Sequence, residues 1–349
     1  MSERIVTIGA DVISARPVKE EAEVLLLTTS ADGPIALLAP SAHDRGDLSL
    51  WIDAHLTQLR TLLDRHKAIL FRGFHVDRVD AFQAFLHSLG AELLEYAERS
   101  TPRTSVRGRI YTSTEYPPTE EILMHNENAY SVVWPRRIAF CCLETAREGG
   151  GTPIADSRDV FRRIDPSIRK QFIEKQVMYV RNYGLGVDLS WQNAFQTSLP
   201  EKVESFCRDH NIACEWFDQG AGLHTEQIRP AALRLEATGE IVWFNQAHLF
   251  HVSSLPSGIR NAMTSIFPAH RLPRNVFYGD KSSIDEDAIS EIRRAYKDAE
   301  LLIEWQRGDV LLLDNLFYAH GRMPFKGDRR VIVAMDSGVI TGTAPVVQA

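Results

Sequence analysis

The chain reads Trp305-Gln-Arg-Gly-Asp-Val-Leu-Leu-Leu-Asp314 and, after a gap, Arg329-Arg-Val-Ile-Val-Ala-Met335, and these two runs are its clearest strand patterns. Short apolar runs that are rich in branched residues and end at turn signals predict buried β-strands. The interval from Asn315 to Pro324 predicts a turn, and His320 lies within it. The pattern favours packed antiparallel sheets, with His320 between two of their strands.

The residues before these runs predict helices and further strands around the β core. Apolar residues recur at helical spacing in Leu50–Arg65, in Val79–Leu89 and in Val160–Lys175, with Asp156 or Ser157 as the N-cap of the last helix. Strands are predicted at Ala68–Phe74 and Arg137–Leu143. The fold class is therefore α+β with a mainly β core.

The organisation of the chain favours one domain that spans residues 1–349. Residues 1–45 mix short apolar runs with turn signals, and we interpret them as an N-terminal edge extension. Residues 176–275 carry β-rich segments such as Val177–Val180 and Glu240–Asn245, joined by long loops and one helix near Glu201 to Asp209. We interpret this stretch as an insertion or lid.

The composition is that of a globular protein, with 44% apolar and 24% charged residues and a formal net charge of −7. A negative balance argues against a nucleic-acid partner, which usually needs a basic face. No signal-peptide pattern and no apolar window of about 18 residues appear, so we expect a cytoplasmic protein without a membrane partner. The four cysteines contain no Cys-x-x-Cys pair and predict reduced, half-buried thiols.

A candidate metal site combines His125-Asn-Glu127 with the distant His320. Residues two apart in a strand project to the same face, so His125 and Glu127 can reach one ion while Asn126 points away. Two imidazoles and one carboxylate suit non-haem ferrous iron and leave coordination positions open. The alternative is a chance His-x-Glu on a solvated strand.

Other residues near the candidate ligands in the sequence could bind a carboxylate co-substrate, and they favour the metal interpretation. Arg329 and Arg330 follow His320 on the next strand, where a guanidinium can make a bidentate bond to a carboxylate. Thr152 follows three glycines and offers a hydroxyl to the same carboxylate. A dicarboxylate could bridge the metal and an arginine. Since side chains alternate along a strand, only one of the two arginines should face the site.

These motifs together resemble the taurine dioxygenase and clavaminate synthase superfamily of Fe(II)/2-oxoglutarate oxygenases, from about Ile69 to Met335. The branch that contains the syringomycin-pathway aspartyl hydroxylase is the most similar, on the segments Ser100–Arg103, Tyr111–Pro117, His125–Ser131, Gly151–Ser157 and His320–Arg322. The resemblance implies a double-stranded β-helix, or jelly roll. It also implies hydroxylation of an unactivated C–H bond in an amino acid or related small molecule, in secondary metabolism, with release of succinate and CO2.

Residue by residue, the resemblance implies that His125, Glu127 and His320 bind iron and that Thr152 and one arginine bind 2-oxoglutarate. Arg329 matches this branch better than Arg330. The arginine that many relatives place four residues after the co-substrate arginine is replaced by an apolar residue, Val333 or Ala334. A carboxylate at position 127 implies hydroxylation rather than halogenation, while desaturation or cyclisation stays open.

The substrate side is the least determined part of the sequence. The candidates are polar residues around the ligand segments, namely Arg103, Ser113, Asn128, Ser131, Asn245, Gln246 and Arg322. Arg322 could instead pair with Asp314, and His248 and His251 are more often structural than ligands at their spacing of three. The substrate is a small molecule, free or as an aminoacyl group on a carrier protein. Other possibilities are a metal-dependent hydrolase with the same ligands and a binding scaffold without activity.

Overall fold

The computed structural model describes residues 4–8, 11–18, 23–27, 35–40, 46–94, 103–113, 116–236 and 238–340. The helices are α1 (Leu48–His66), α2 (Val79–Ser88), α3 (Ser157–Arg163), α4 (Pro166–Lys175), α5 (Trp191–Phe195), α6 (Pro200–Asp209), α7 (Ala247–Phe250), α8 (Ser257–Ile266) and α9 (Glu286–Asp298). The strands are β1 (Arg4–Ile8), β2 (Asp11–Val18), β3 (Glu23–Leu27), β4 (Ile35–Ala39), β5 (Ala68–Phe71), β6 (Ser105–Arg107), β7 (Ile110–Thr112), β8 (Ile122–His125), β9 (Val133–Glu144), β10 (Glu148–Gly149), β11 (Thr152–Asp156), β12 (Val177–Tyr183), β13 (Ala213–Phe217), β14 (Gly222–Arg229), β15 (Ala232–Arg234), β16 (Ile241–Trp243), β17 (Arg274–Tyr278), β18 (Glu300–Ile303), β19 (Val310–Asp314), β20 (Tyr318–Arg322), β21 (Phe325–Lys326) and β22 (Arg330–Ile340).

The major sheet holds both of the C-terminal strand patterns. Its order is β1-β2-β3-β4-β5-β19-β9-β22-β7-β6, so β9 lies between β19 and β22 and pairs antiparallel with each. Within residues 1–45, the described strands β1 to β4 extend one edge of this sheet. The predicted strand at 305–314 begins only at Val310, because Gly308 has a φ of +88° and turns the chain just before it.

The minor sheet carries the candidate ligands and corrects one expectation. Its order is β18-β11-β20-β8. The interval from Asn315 to Pro324 was expected to be a turn, but it contains β20, which pairs with β11 on one side and β8 on the other. The apolar core between the two sheets includes Leu70, Phe140, Ile154, Leu313 and Val333.

A third sheet, of order β13-β14-β12-β17, is built from the stretch that was interpreted as an insertion or lid. Tyr179 and Val276 from this sheet share a buried cluster with Met124, Ala155 and Ala319 of the minor sheet. The third sheet is therefore packed on the minor sheet and supports it from outside. The expectation of one helix in this stretch was wrong, since α5, α7 and α8 lie there besides α6.

The predicted helix at Val160–Lys175 is in fact two helices, α3 and α4. Pro166 cannot donate a helical hydrogen bond and starts a new helix at its first turn instead. Asp156 accepts from the N–H of Arg158 as the N-cap of α3, and Asp165 accepts from the N–H of Ser167 as the N-cap of α4.

Two smaller observations complete the fold. The cysteines are free thiols, and Cys141, Cys142 and Cys207 are buried rather than half-buried. Within the described ranges, the helices are all too short or too polar to cross a membrane.

Candidate metal centre

Two neighbouring strands of the minor sheet place two histidines side by side. His125 is the last residue of β8, and its backbone pairs with that of His320 in β20. Glu127 follows two residues later and is only 2% exposed. One ligand atom from each of the three side chains lies within 4.8 Å of the others, slightly more than the maximum of about 4.2 Å between two ligands that each lie about 2.1 Å from one ion.

Asn315 holds the backbone of the His-x-Glu segment from behind. Its Oδ1 accepts the backbone N–H of Glu127 at 2.7 Å, and its Nδ2 donates to the carbonyl oxygen of Glu127 at 3.0 Å. Asn126 points away from the cluster and donates through Nδ2 to the carbonyl oxygen of Asn315 at 2.7 Å and to Oγ of Ser157 at 3.0 Å. These bonds orient the Glu127 carboxylate toward the histidines, as outer hydrogen bonds do at metal sites.

His125 has the protonation state that a metal requires. Its Nδ1 lies 2.8 Å from the carbonyl oxygen of Leu123, which can only accept, so Nδ1 carries the hydrogen and Nε2 keeps its lone pair. Burial and the neighbouring His320 lower the pKa of His125 to about 4. The imidazole is therefore neutral at physiological pH and available as a ligand.

The Glu127 carboxylate is charged because of a buried arginine. Nη2 of Arg103 donates to Oε2 of Glu127 at 2.8 Å, and Nε2 of His320 lies 3.6 Å from the same oxygen. Burial alone would raise the pKa of Glu127, but the charge of Arg103 and the contact with His320 outweigh it and hold the pKa well below its ordinary value. Arg103 was expected on the substrate side, and the structure places it against a candidate ligand instead.

A cavity opens beside the cluster and is lined by His125, His320, Arg103, Ser113, Thr152 and Arg329, among others. Thr152 begins β11 and is 3% exposed. Its Oγ1 accepts the indole N–H of Trp305 at 2.9 Å. The cavity therefore brings the two histidines together with the hydroxyl of Thr152 and the guanidinium of Arg329, which can bind a carboxylate.

The side chain of Arg329 reaches the cavity past Gly150, one of the three glycines that precede Thr152. Its Nε donates to the carbonyl oxygen of Gly150 at 2.9 Å, and its Nη1 lies 3.4 Å from Oγ of Ser113. Burial and the nearby charge of Arg322 lower the pKa of Arg329 to about 10, which leaves the guanidinium protonated at neutral pH. Gly150 has a φ of +74°, and a Cβ there would stand 3.0 Å from Cδ of Arg329. A side chain at position 150 would therefore crowd Arg329.

Arg330 lies outside the cavity. It is exposed, whereas Arg329 is partly buried and lines the cavity. An irregularity in the pairing of β22 with β9 falls between Arg330 and Val331. The side chains of the two arginines thus point in different directions, and Arg329 is the better candidate for co-substrate binding.

Three other substrate-side candidates are engaged with the backbone. Arg322 lines the cavity, but its guanidinium donates to the carbonyl oxygens of Tyr116, Pro117 and Glu120. The alternative partner of Arg322 was Asp314, and that carboxylate pairs with Arg136. Asn245 and Gln246 are buried and donate to the carbonyl oxygens of Ala231 and Asn126. Asn245 and Gln246 therefore support the local fold, whereas Arg322 lines the cavity with its guanidinium bonded to backbone carbonyl oxygens.

Of the remaining candidates, only Ser113 lines the cavity. Asn128 is buried at a φ of +55°, and Ser131 is buried and accepts the N–H of Val133. His248 and His251 contact the carbonyl oxygen of Met124 and the hydroxyl of Ser253, respectively. Of the resembling segments, Ser100–Pro102, Thr114 and Glu115 lie outside the described residues.

Sequence reasoning missed Asn315, Gly150 and Trp305 as parts of this centre. Asn315 directly follows an apolar strand run, a position at which a buried amide often bonds to neighbouring backbone. Trp305 precedes the same run, and its indole N–H needs a partner when it is buried. Neither signal names the partner, which lies far away in sequence.

The two-layer β core and the buried two-histidine, one-carboxylate cluster define a class of protein, the non-haem iron oxygenases with a double-stranded β-helix. Residues 34–335 match the model of the taurine catabolism dioxygenase TauD, TfdA family, and the chain belongs to this family. The chain is thus an Fe(II)/2-oxoglutarate-dependent dioxygenase, and the expected fold and family are confirmed.

Individual relatives agree with this assignment. The chain is 42% identical to the dapdiamide synthesis protein DdaC of Enterobacter agglomerans, over 78% of this chain and 83% of that protein. It is 31% identical to a clavaminate synthase-like protein of Arabidopsis thaliana, over 79% of this chain and 83% of that protein. A solved structure of PvcB, an Fe, alpha-ketoglutarate-dependent oxygenase from an isonitrile synthetic pathway, has a TM-score of 0.53 and 13% identity, and covers 94% of this chain and 98% of PvcB.

Proposed function

We propose that His125, Glu127 and His320 bind the ferrous ion and that Thr152 and Arg329 bind 2-oxoglutarate. The observation that carries this proposal is that the three ligand atoms lie within 4.8 Å of one another beside a cavity that also contains Thr152 and Arg329. A guanidinium binds a carboxylate through two parallel hydrogen bonds. Arg330 is excluded from this role because it is exposed.

With iron, 2-oxoglutarate and dioxygen bound, this class of enzyme oxidises a substrate while 2-oxoglutarate is converted to succinate and CO2. The residues of this chain prepare the site for that chemistry. Arg103 donates to Oε2 of Glu127 and would hold this carboxylate in its charged form as a ligand for the metal. The positive charge of Arg329 neutralises the far carboxylate of the co-substrate.

The proposed reaction is hydroxylation of an unactivated C–H bond in an amino acid or related small molecule of secondary metabolism. The name of the relative DdaC, a dapdiamide synthesis protein, supports a role in natural product biosynthesis. Glu127 supports hydroxylation over halogenation, since its carboxylate takes the place that a halide would need. Desaturation or cyclisation would use the same residues. The substrate is free or held by a carrier protein, and the cytoplasmic location stays a prediction.

Anaerobic addition of Fe(II) and 2-oxoglutarate tests the proposed site. We expect a weak charge-transfer absorption in the visible, which zinc would not give, and its absence from well-loaded protein would overturn the proposal. Arg329→Ala should weaken 2-oxoglutarate binding about 10- to 100-fold, since it removes charged hydrogen bonds. Arg330→Ala is the matched control and should bind as the wild type does. Equal losses in both variants would contradict the assignment of Arg329.

The reaction itself is tested by succinate release across a substrate panel, followed by mass spectrometry of the product. The panel contains free amino acids, aminoacylated carrier proteins and other small metabolites. A gain of one oxygen atom in the product supports hydroxylation. A loss of two hydrogen atoms supports desaturation or cyclisation and would overturn the proposed reaction without affecting the proposed site.

A further inference from the structure

A tryptophan that does not line the cavity is hydrogen-bonded to a hydroxyl that does. The indole N–H of Trp305 donates to Oγ1 of Thr152 at 2.9 Å. In the part of the chain that the structure describes, this is the one hydrogen bond that the Thr152 side chain makes. Trp305 does not line the cavity beside the metal ligands, but it lines a second cavity that shares Arg329 with the first. The indole therefore reaches Thr152 from the side of the second cavity.

The position of Trp305 is set on both sides along the chain. The preceding residue, Glu304, accepts Nη2 of Arg72 at its carbonyl oxygen at 2.7 Å. The backbone N–H of the following residue, Gln306, donates to the carboxylate of Asp309 at 2.8 Å, and Arg72 also pairs with Asp309 at 2.7 Å. Since these bonds hold both neighbours, the indole is presented to Thr152 from a rigid segment.

The register of the minor sheet explains why the contact falls on Thr152. Thr152 pairs with Ile303, the last residue of β18. Trp305 lies two residues beyond Ile303, where the chain leaves the sheet. The indole is partly buried against the core between the two main sheets. Its N–H thus needs a partner in the protein, and Thr152 supplies it.

The chemistry of the two groups gives this bond a direction. An indole N–H can only donate, whereas a threonine hydroxyl has one hydrogen to donate and two lone pairs that accept. When Trp305 occupies a lone pair, the hydrogen of the Thr152 hydroxyl remains available. A carboxylate can only accept. The bond therefore prepares Thr152 to donate to the carboxylate of 2-oxoglutarate.

We propose that Trp305 is a positioning residue for 2-oxoglutarate, and that it acts through the Thr152 hydroxyl. This inference rests on the proposed co-substrate site. It assigns Trp305 a role in co-substrate affinity that does not involve contact with the metal. Loss of the indole N–H frees the hydroxyl to rotate and leaves one lone pair unoccupied, so part of the preorganisation is lost.

The test is a double-mutant cycle with Trp305→Phe and Thr152→Val, titrated with 2-oxoglutarate under anaerobic conditions in the Fe(II)-loaded protein. Trp305→Phe keeps a large ring and removes the N–H. We expect it to raise the Kd of 2-oxoglutarate roughly three- to tenfold, with an unchanged Kd for Fe(II) measured separately. The double variant should bind no more weakly than Thr152→Val alone, because the indole acts only through that hydroxyl.

The matched control is Trp216→Phe, since the indole of Trp216 also donates to a side chain, that of Glu204, but away from the cavity. It should bind 2-oxoglutarate as the wild type does. A wild-type Kd in folded Trp305→Phe, or additive losses in the double variant, would overturn the inference. If Trp305→Phe does not fold, Trp305→Tyr replaces it in the same cycle. Failure of the wild type to bind 2-oxoglutarate would instead overturn the proposed co-substrate site.

Discussion

Substitution of Gly150 by alanine should weaken co-substrate binding through Arg329. Gly150 has a φ of +74°, and a Cβ there would stand 3.0 Å from Cδ and 3.1 Å from Nε of Arg329. Carbon atoms pack at about 3.5–4.0 Å, so the arginine must move by a few tenths of an ångström. The bond from Nε of Arg329 to the carbonyl oxygen of Gly150, 2.9 Å long, is then distorted.

Two terms set the size of the effect. An alanine in the left-handed region costs about 1–2 kcal/mol of folding free energy. Loss of a hydrogen bond from a charged donor costs about 1.5–3 kcal/mol, and displacement of the guanidinium should raise the Kd of 2-oxoglutarate about tenfold or more. Urea unfolding measures the first term, and anaerobic titration of the Fe(II)-loaded protein with 2-oxoglutarate measures the second.

Gly90→Ala separates backbone strain from displacement of the arginine. Gly90 has a φ of +68°, and a Cβ there would meet nothing within 4 Å. We expect Gly90→Ala to lose about the same strain energy as Gly150→Ala and to bind 2-oxoglutarate as the wild type does. If Gly150→Ala loses stability but binds 2-oxoglutarate with a wild-type Kd, the contact between Gly150 and Arg329 plays no part in co-substrate binding.

Two further predictions concern charges in the protein. Arg103→Leu leaves the Glu127 carboxylate buried without its arginine, and it should destabilise the metal-free protein by about 3–5 kcal/mol. Addition of Mn(II) should recover part of this loss of stability in a thermal melt. An equal loss with and without metal would contradict the pairing of Arg103 with Glu127. Burial raises the pKa of Asp188, but the charges of Arg274 and Arg181 outweigh burial and lower the pKa below its ordinary value of 3.8. The stability that this carboxylate contributes is therefore fully present above pH 3.8, and it is lost as the pH falls through the lowered pKa. Asp188→Asn should therefore cost about 1–3 kcal/mol in urea unfolding at pH 7 and less at pH 3, and an equal or larger cost at pH 3 would show that the sign is wrong.

The strand and helix patterns were predictable where the signal is local. The apolar run at 305–314 contains β19, and the run at 329–335 contains the first part of β22, because buried strands select branched apolar residues whatever lies beside them. The break between α3 and α4 is also a local signal, since Asp165 followed by Pro166 is typical of a helix start. The strand β20 was not predictable in this way. Tyr318-Ala-His-Gly-Arg322 has no alternation, and it is a strand because β11 and β8 bind it on both sides.

The sequence by itself determined the class of protein. The ligand types at His125, Glu127 and His320 and the glycine turn before Thr152 are written in the chain, and the family to which it belongs follows from them and is confirmed. Residue chemistry and spacing suffice here because a metal selects its ligands by type.

Only the tertiary structure decided how the side chains divide the work. It turned Arg329 toward the cavity and Arg330 to solvent, paired Arg103 with Glu127, and placed the indole of Trp305 on Thr152. The physical reason is that these partners lie far apart in the chain or depend on strand register. A single-residue shift of a strand reverses the face on which every side chain lies, and the identity of the partner strand is decided only when the sheets assemble.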